Sequence, residues 1–138
     1  MGASTNTGEH MPRAKELKIR VDDRPGMLGE VTAALAEKKV NLRAVNAWVE
    51  DGEGVIRMVV DQAGPAKKAL KAHGWEVEEK DILEVEVADK PGALAAAAIA
   101  LGEAGVNIEH VFVGVAGARK ATVFLGVSDV RAAMKALR

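Results

Sequence analysis

The chain has 138 residues, 49% hydrophobic and 28% charged, with a net charge of −1 and no cysteine. That is the composition of an ordinary folded domain, and it excludes a disulfide framework, a thiolate metal site and a thiol nucleophile. Basic and acidic residues balance at 13 each in residues 1–80, and stand at 6 and 7 in residues 81–138, so neither half is a basic nucleic-acid-binding module.

No apolar run approaches the ~20 residues needed to span a bilayer. The amino-terminal stretch MGASTNTGEHMPRAKE lacks the apolar centre of a signal peptide. With cysteine absent, a cytoplasmic location is expected. Residues 1–11 are small and polar and read as a flexible leader, with Met11 a natural start. The tail is expected to run to residue 14, with a first module over 15–80 and a second over 81–138.

Residues 17–21, LKIRV, alternate apolar and polar, which predicts a half-buried strand. The phrase DDRPGML follows at 22–28 and marks a turn. Met27, Leu28, Val31, Ala34 and Leu35 then fall at helical spacing and predict an amphipathic helix. It ends at VNL (40–42). A strand over NLRAVNAWVE, a turn at DGEG (51–54) and a strand over VIRMVV predict a β-hairpin. A second helix follows, with Pro65 at its first position and Gly74 closing it. WEVEEK (75–80) predicts a fourth strand, with Trp75 and Val77 facing one way.

The pattern then repeats 66 residues on. LEVEV (83–87) matches LKIRV, ADKPGAL (88–94) matches DDRPGML, and VNI (106–108) matches VNL. The second helix pattern, ALAAAAIALGEAG, places Leu94, Ala97, Ala98 and Leu101 on one stripe, and its small residues suit close packing. NIEHVFVGVA, a turn at AGAR (116–119) and ATVFLGV predict a second hairpin, and SDVRAAMKALR a last helix with a Ser/Asp cap. Each unit reads β-α-β-β-α-β, the second without its last strand. This is the ferredoxin-like α+β order, one antiparallel sheet with helices on a single face. The opposite face is expected to be solvated or covered by a partner.

The Pro-Gly turn is where binding chemistry is most plausible. Pro25 pre-sets the turn and Gly26 permits close approach to the backbone. The amides of about Gly26, Met27 and Leu28 open the helix without intrahelical partners and suit a carboxylate or phosphate. Asp23 can cap those amides or accept from a ligand ammonium. A plain strand-to-helix connection needs such a turn too. Asn41 and Asn107 can end their helices in left-handed geometry, or offer side-chain amides to a ligand.

DRPGMLGEVTAALAEKKVNL and DKPGALAAAAIALGEAGVNI resemble the signature of the ACT domain, a small regulatory ligand-binding module: acid–x–Pro–Gly–x–Leu, an amphipathic helix, then Asn–Ile/Leu opening strand two. The resemblance covers the chain from about residue 15, in two copies, and is similar to stand-alone tandem ACT proteins. It implies binding of an amino acid or related small carboxylate at an ACT–ACT interface, where one module's strand-one loop meets its neighbour's strand-two opening. On that resemblance the first copy contributes Asp23, Arg24, Gly26, Met27, Leu28, Asn41 and Leu42. The second contributes Asp89, Lys90, Gly92, Ala93, Leu94, Asn107 and Ile108. It implies modulation of a separate metabolic enzyme in trans, with no catalysis; the open sheet face and incomplete second sheet predict a homodimer, and no cofactor, metal, nucleic acid or membrane is expected as partner. The rival is an interaction-only regulatory subunit with no ligand of its own, its helix amides filled by Asp23 or Asp89. Two departures separate the copies: the missing final strand, and Met27 and Gly29 standing against Ala93 and Ala95.

Other residues carry less. His10, His73 and His110 have no spaced partner, which does not make a metal site. His110 reads as a packed or interface residue and His73 as a helix C-terminal residue. Ser4 and Ser128 sit in a tail and at a cap, with no triad legible. EVEEKD (76–81) and EDGE (50–53) read as solvated polar stretches. Trp48 is expected to share a strand face with Leu42, Ala44 and Asn46, and serves either core or helix-facing packing or a dimer contact on the sheet's open face. The same element order serves RNA-recognition modules, metallochaperones and acylphosphatases. Aromatics at 3% with no Tyr argue against the first, absent cysteine against the second, and the lack of a Gly-rich phosphate loop against the third.

Overall fold

A computed structural model describes residues 13–114, 117 and 119–138. The leader at 1–11 with Ser4, His10 and Met11, and Ala116 and Ala118 of the second turn, lie outside the described residues. The elements run β1 (Arg13–Asp22), α1 (Met27–Glu37), β2 (Leu42–Glu50), β3 (Glu53–Val60), α2 (Ala63–Ala72), β4 (Glu78–Ala88), α3 (Ala93–Glu103), β5 (Ile108–Gly114), β6 (Lys120–Val127) and α4 (Val130–Ala136). Two compact units result, Lys15–Lys80 and Asp81–Arg138, the latter including Arg13 and Ala14. Those two residues, expected in the tail, begin β1: Ala14 and Glu16 are buried and Lys15 is exposed between them, as strand alternation requires.

In the first unit β3 pairs antiparallel with β1 and with β2. Leu17, Ile19 and Val21 of β1 and Ile56, Met58 and Val60 of β3 face α1 and α2, which contribute Met27, Val31, Leu35, Ala66 and Leu70 to one core. The hairpin closes through Asp51 and Gly52, with φ of 52° and 80°. Positive φ at both central residues is what a two-residue turn needs to match the strand twist. The opposite face of the sheet, expected to be solvated or covered by a partner, is buried at several positions. Val55 and Val59, which alternate with the core residues of β3, are 0% and 1% exposed. Glu16 is buried there too, and accepts from the Arg57 guanidinium at 2.6 Å.

In the second unit β6 pairs with β4 and β5. Its core joins Leu83, Val85, Val123, Leu125 and Val127 to Leu101 of α3 and Ala133 of α4. The alanine-rich α3 buries Leu101 alone fully. Leu94, expected in its apolar stripe, is 44% exposed, and its counterpart Leu28 is 46% exposed.

Three helices end in the same hydrogen-bonded motif. Behind α1, α2 and α3 the amides of Val40, Trp75 and Val106 donate to Leu35, Leu70 and Leu101. Each time the preceding residue is left-handed: Lys39 (φ 59°), Gly74 (φ 86°) and Gly105 (φ 75°). Asn41 and Asn107 therefore do not end their helices; they come two residues later. Asn41 N–H donates to Asp61 Oδ1 at 2.9 Å while Asp61 N–H donates to Asn41 O at 3.1 Å. Asn107 and Ser128 repeat the exchange at 3.0 Å each way. Each pair ties the opening of a hairpin to its close.

Several boundaries differ from the sequence pattern. Pro65 is the third residue of α2, not the first, since the helix begins at Ala63. The cap of α4 is Asp129, which accepts from Ala132 N–H at 3.0 Å, and Ser128 is occupied by Asn107. Residues 75–77 are not a strand, although Trp75 and Val77 pack on the first core. Residues 78–80 open the single strand β4, which continues to Ala88. The acidic stretch there is not simply solvated: Glu79 meets Lys67 at 2.8 Å and Asp81 meets Arg13 at 3.4 Å.

Candidate functional site

The Pro-Gly turn delivers what its residues promise. Gly26 caps α1 at φ 89° and ψ −6°, and Gly92 caps α3 at φ 86° and ψ −11°; no side chain hydrogen-bonds either cap. A β-carbon at either glycine would meet nothing within 4 Å, so the space over both helix ends is clear. Backbone conformation, not crowding, demands glycine here.

A cavity of about 200 Å³ opens beside the first turn, among Val21, Asp23, Arg24, Met27, Leu28 and the Ala47–Val49 end of β2. Its base is apolar and its rim charged. Asp22 pairs with Glu53, and Glu50 with Glu53, so the ends of β1, β2 and β3 lie together and bring Ala47 and Val49 to the loop. Sequence reasoning missed these two residues. The two-residue turn at Asp51–Gly52 was the available signal, because so short a turn fixes where β2 must end.

Arg24 crosses the loop to Glu30 in the first turn of α1 at 2.7 Å, with Asp22 at 3.9 Å. The hydrogen bond from Arg24 holds the Glu30 carboxyl below its ordinary value, and Glu30 in turn raises Arg24. Trp48 is half-buried on the face away from the helices, opposite Val55. Its indole N–H donates to Glu50 at 2.9 Å, which lowers the Glu50 pKa, and the Arg57 guanidinium lies 5.6 Å from its ring.

Of the first-copy candidates, Asp23, Arg24, Met27 and Leu28 line the cavity, with Gly26 at the helix end beside them. Asn41 and Leu42 do not. They lie beyond the other end of α1, and its 11 residues span about 16 Å at ~1.5 Å per residue. Within one module, therefore, the two halves of the expected site stay apart. In the second copy Asp89, Lys90, Gly92 and Leu94 are exposed, as is Asn107; Ala93 and Ile108 are half-buried. The register places Gly114, opposite Thr122, where the first copy has Trp48 opposite Val55. Together with Ala93 in place of Met27, this makes the second loop's surroundings smaller-walled.

His73 follows α2 as its cap, donates from Nδ1 to Ala69 O at 3.0 Å, and stacks on Trp75. His110 stacks on Phe112 with ring centroids 6.1 Å apart. Among the described residues no cluster of His, Asp or Glu could hold a metal ion, and no helix is long and apolar enough to cross a membrane.

Two ferredoxin-like α+β units, each with a glycine-capped helix behind its first strand, define a tandem small-module protein. The chain belongs to the ACT domain family, which matches it twice, over residues 15–74 and 82–138. Among solved structures it is similar to protein BT0572 from Bacteroides thetaiotaomicron, at 31% identity and a TM-score of 0.85, covering 92% of this chain and 88% of that one. It also shares the fold of the ligand-free regulatory subunit of aspartate kinase from Thermus thermophilus, at 24% identity and a TM-score of 0.68, covering 91% and 89%. The corresponding subunit from Thermus flavus gives 23% identity and a TM-score of 0.66, covering 92% and 91%. No curated protein matches the sequence.

Proposed function

We propose that this protein senses an amino acid or related small carboxylate at an interface between ACT modules and thereby modulates a separate metabolic enzyme. The observation that carries the reading is the open, glycine-capped end of α1 beside a cavity with an apolar base and a charged rim. The amides of that first turn, of which Met27 N–H already donates to Arg24 O at 3.4 Å, suit a carboxylate. Asp23 suits an ammonium, and Met27, Leu28 and Val49 suit an aliphatic side chain. The distance from this end to Asn41 supports a two-module site, in which a neighbouring module supplies the asparagine. A homodimer would provide that neighbour. The interaction-only alternative needs Asp23 or Asp89 to fill the helix amides or side chains to cover them, and the absence of a side-chain cap at Gly26 and Gly92 favours the ligand-binding reading over it. Binding would act by stabilising one conformation or assembly of the partner enzyme, with no bond made or broken.

A thermal-shift screen against the twenty amino acids and a few branched-chain and phenyl carboxylic acids tests this. A ligand at about 100 times its Kd stabilises by roughly 2.7 kcal/mol. Gly26→Asp places a carboxylate where the ligand's own should sit and is expected to abolish that stabilisation. Undiminished affinity in Gly26→Asp would remove the first site from the proposal. No response to any compound would favour the interaction-only subunit, and light scattering that gives a monomer at micromolar concentration would count against the dimer.

A further inference from the structure

A second cavity, of about 510 Å³, lies in the second unit and shares no residue with the Pro-Gly loops. Arg131 and Lys135, four apart on one face of α4, line it together with Arg138, which lies two residues past the end of that helix. Arg13 closes it from the start of β1. Three of the six Lys and Arg residues in 81–138 thus converge on one cavity, although the chain as a whole carries a net charge of −1.

The carboxylates nearby offset this only in part, since four cations line the cavity against one lining carboxylate. Asp129 lines the cavity but is engaged in capping α4. Asp81 pairs with Arg13 at 3.4 Å. Cations held this close repel one another, and an anion that bridges them relieves the repulsion. Met134 supplies an apolar patch on the wall.

We infer that this cavity binds a small molecule bearing two or more adjacent phosphate groups. Its volume falls within the range of about 300–1,000 Å³ typical of small-ligand pockets. Guanidinium groups pair with phosphate oxygens through two parallel hydrogen bonds, and three of the four cations are arginines. Adjacent phosphates match a row of charges along a helix face better than one carboxylate does. A single-stranded nucleic acid fits less well: it needs a track of cations with aromatic platforms, and no aromatic residue lines this cavity. The site differs from the proposed amino-acid site in residues and in chemistry, so either can fail without the other.

Isothermal titration of the full chain with inorganic pyrophosphate, ADP and citrate tests the assignment. Pyrophosphate and ADP are expected to bind, more weakly as salt rises, since exposed charges are screened. Arg131→Glu/Lys135→Glu is expected to raise both Kd values by about tenfold or more, as the loss of two exposed charge pairs implies. Arg131→Gln/Lys135→Gln, which removes charge without reversing it, is expected to give an intermediate rise. Neither variant should change the thermal response to an amino acid that stabilises the parent protein. No binding of pyrophosphate or ADP at millimolar concentration would overturn the proposal. So would unchanged affinity in both folded variants, or citrate binding as well as pyrophosphate.

Discussion

Replacing Gly126 by alanine should destabilise the protein because of one side chain across the sheet. Gly126 of β6 pairs directly with His110 of β5. A β-carbon built on Gly126 would lie within 2.5 Å of both imidazole nitrogens, inside the ring's own volume. The glycine has ordinary negative φ, so backbone conformation does not forbid alanine. Alanine in a strand should even gain roughly 0.5–1 kcal/mol over glycine. Against that, overfilling a packed site costs about 1–3 kcal/mol. The ring must also leave the place where it stacks on Phe112, forfeiting part of an aromatic contact of about 0.5–1.5 kcal/mol. The net expectation for Gly126→Ala is a loss of about 1–2 kcal/mol. With the ring removed in His110→Ala, the same change should instead stabilise by about 0.5–1 kcal/mol. The sign therefore reverses, with a coupling of about 2 kcal/mol. Urea unfolding of the four proteins of this double-mutant cycle measures it. Additivity within about 0.5 kcal/mol would refute the idea that the glycine exists to seat the histidine.

Arg57→Leu should cost about 3 kcal/mol by leaving the Glu16 carboxylate, 1% exposed, without its 2.6 Å cation, whereas Arg57→Leu/Glu16→Leu should lose far less. Equal losses in the single and double variants would mean that packing, not buried charge, sets the cost. Glu30 has a folded-state pKa below its ordinary value of 4.5, so its bond from Arg24 contributes fully above that value and is lost as pH falls through the lower, folded one. Carbon-detected NMR should show the Glu30 midpoint moving up towards 4.5 in Arg24→Gln; an unmoved midpoint would mean that another group holds it down.

Alternation was legible over Leu17, Ile19 and Val21 in β1 and Leu83, Val85 and Val87 in β4 because these apolar residues face a helix-covered core, whereas the burial of Glu16 and Ile82 on the opposite face gave no such pattern. The repeat itself was legible because the Pro-Gly phrase needs the same left-handed glycine in both copies. What failed was anything decided by pairing between distant residues. Trp75 and Val77 alternate as a strand would, yet they follow a helix-ending turn and pack on the core without strand geometry. Nothing in EEKD marks where one strand ends, because here one strand simply continues. The seating of His110 on Gly126 depends on register, which shifts at an irregularity between Ile108 and His110. In the candidate site the loop residues were readable, whereas Ala47 and Val49 reach it only through the return of the hairpin.

The left-handed residues sort the glycines into those that can drift and those that cannot. Lys39 and Gly105 occupy the same position in the two copies, at φ 59° and 75°. The lysine falls in the small left-handed region open to any L-residue, roughly φ +50 to +70°. Gly26 and Gly92, at 89° and 86°, lie outside it. Anyone building a combinatorial library on this scaffold can therefore vary 39, and vary 105, at 75° and just past that region, only among residues that tolerate left-handed geometry such as Asn and Asp. Positions 26 and 92 should be held as glycine, and diversity spent on Met27, Leu28 and their counterparts Ala93 and Leu94.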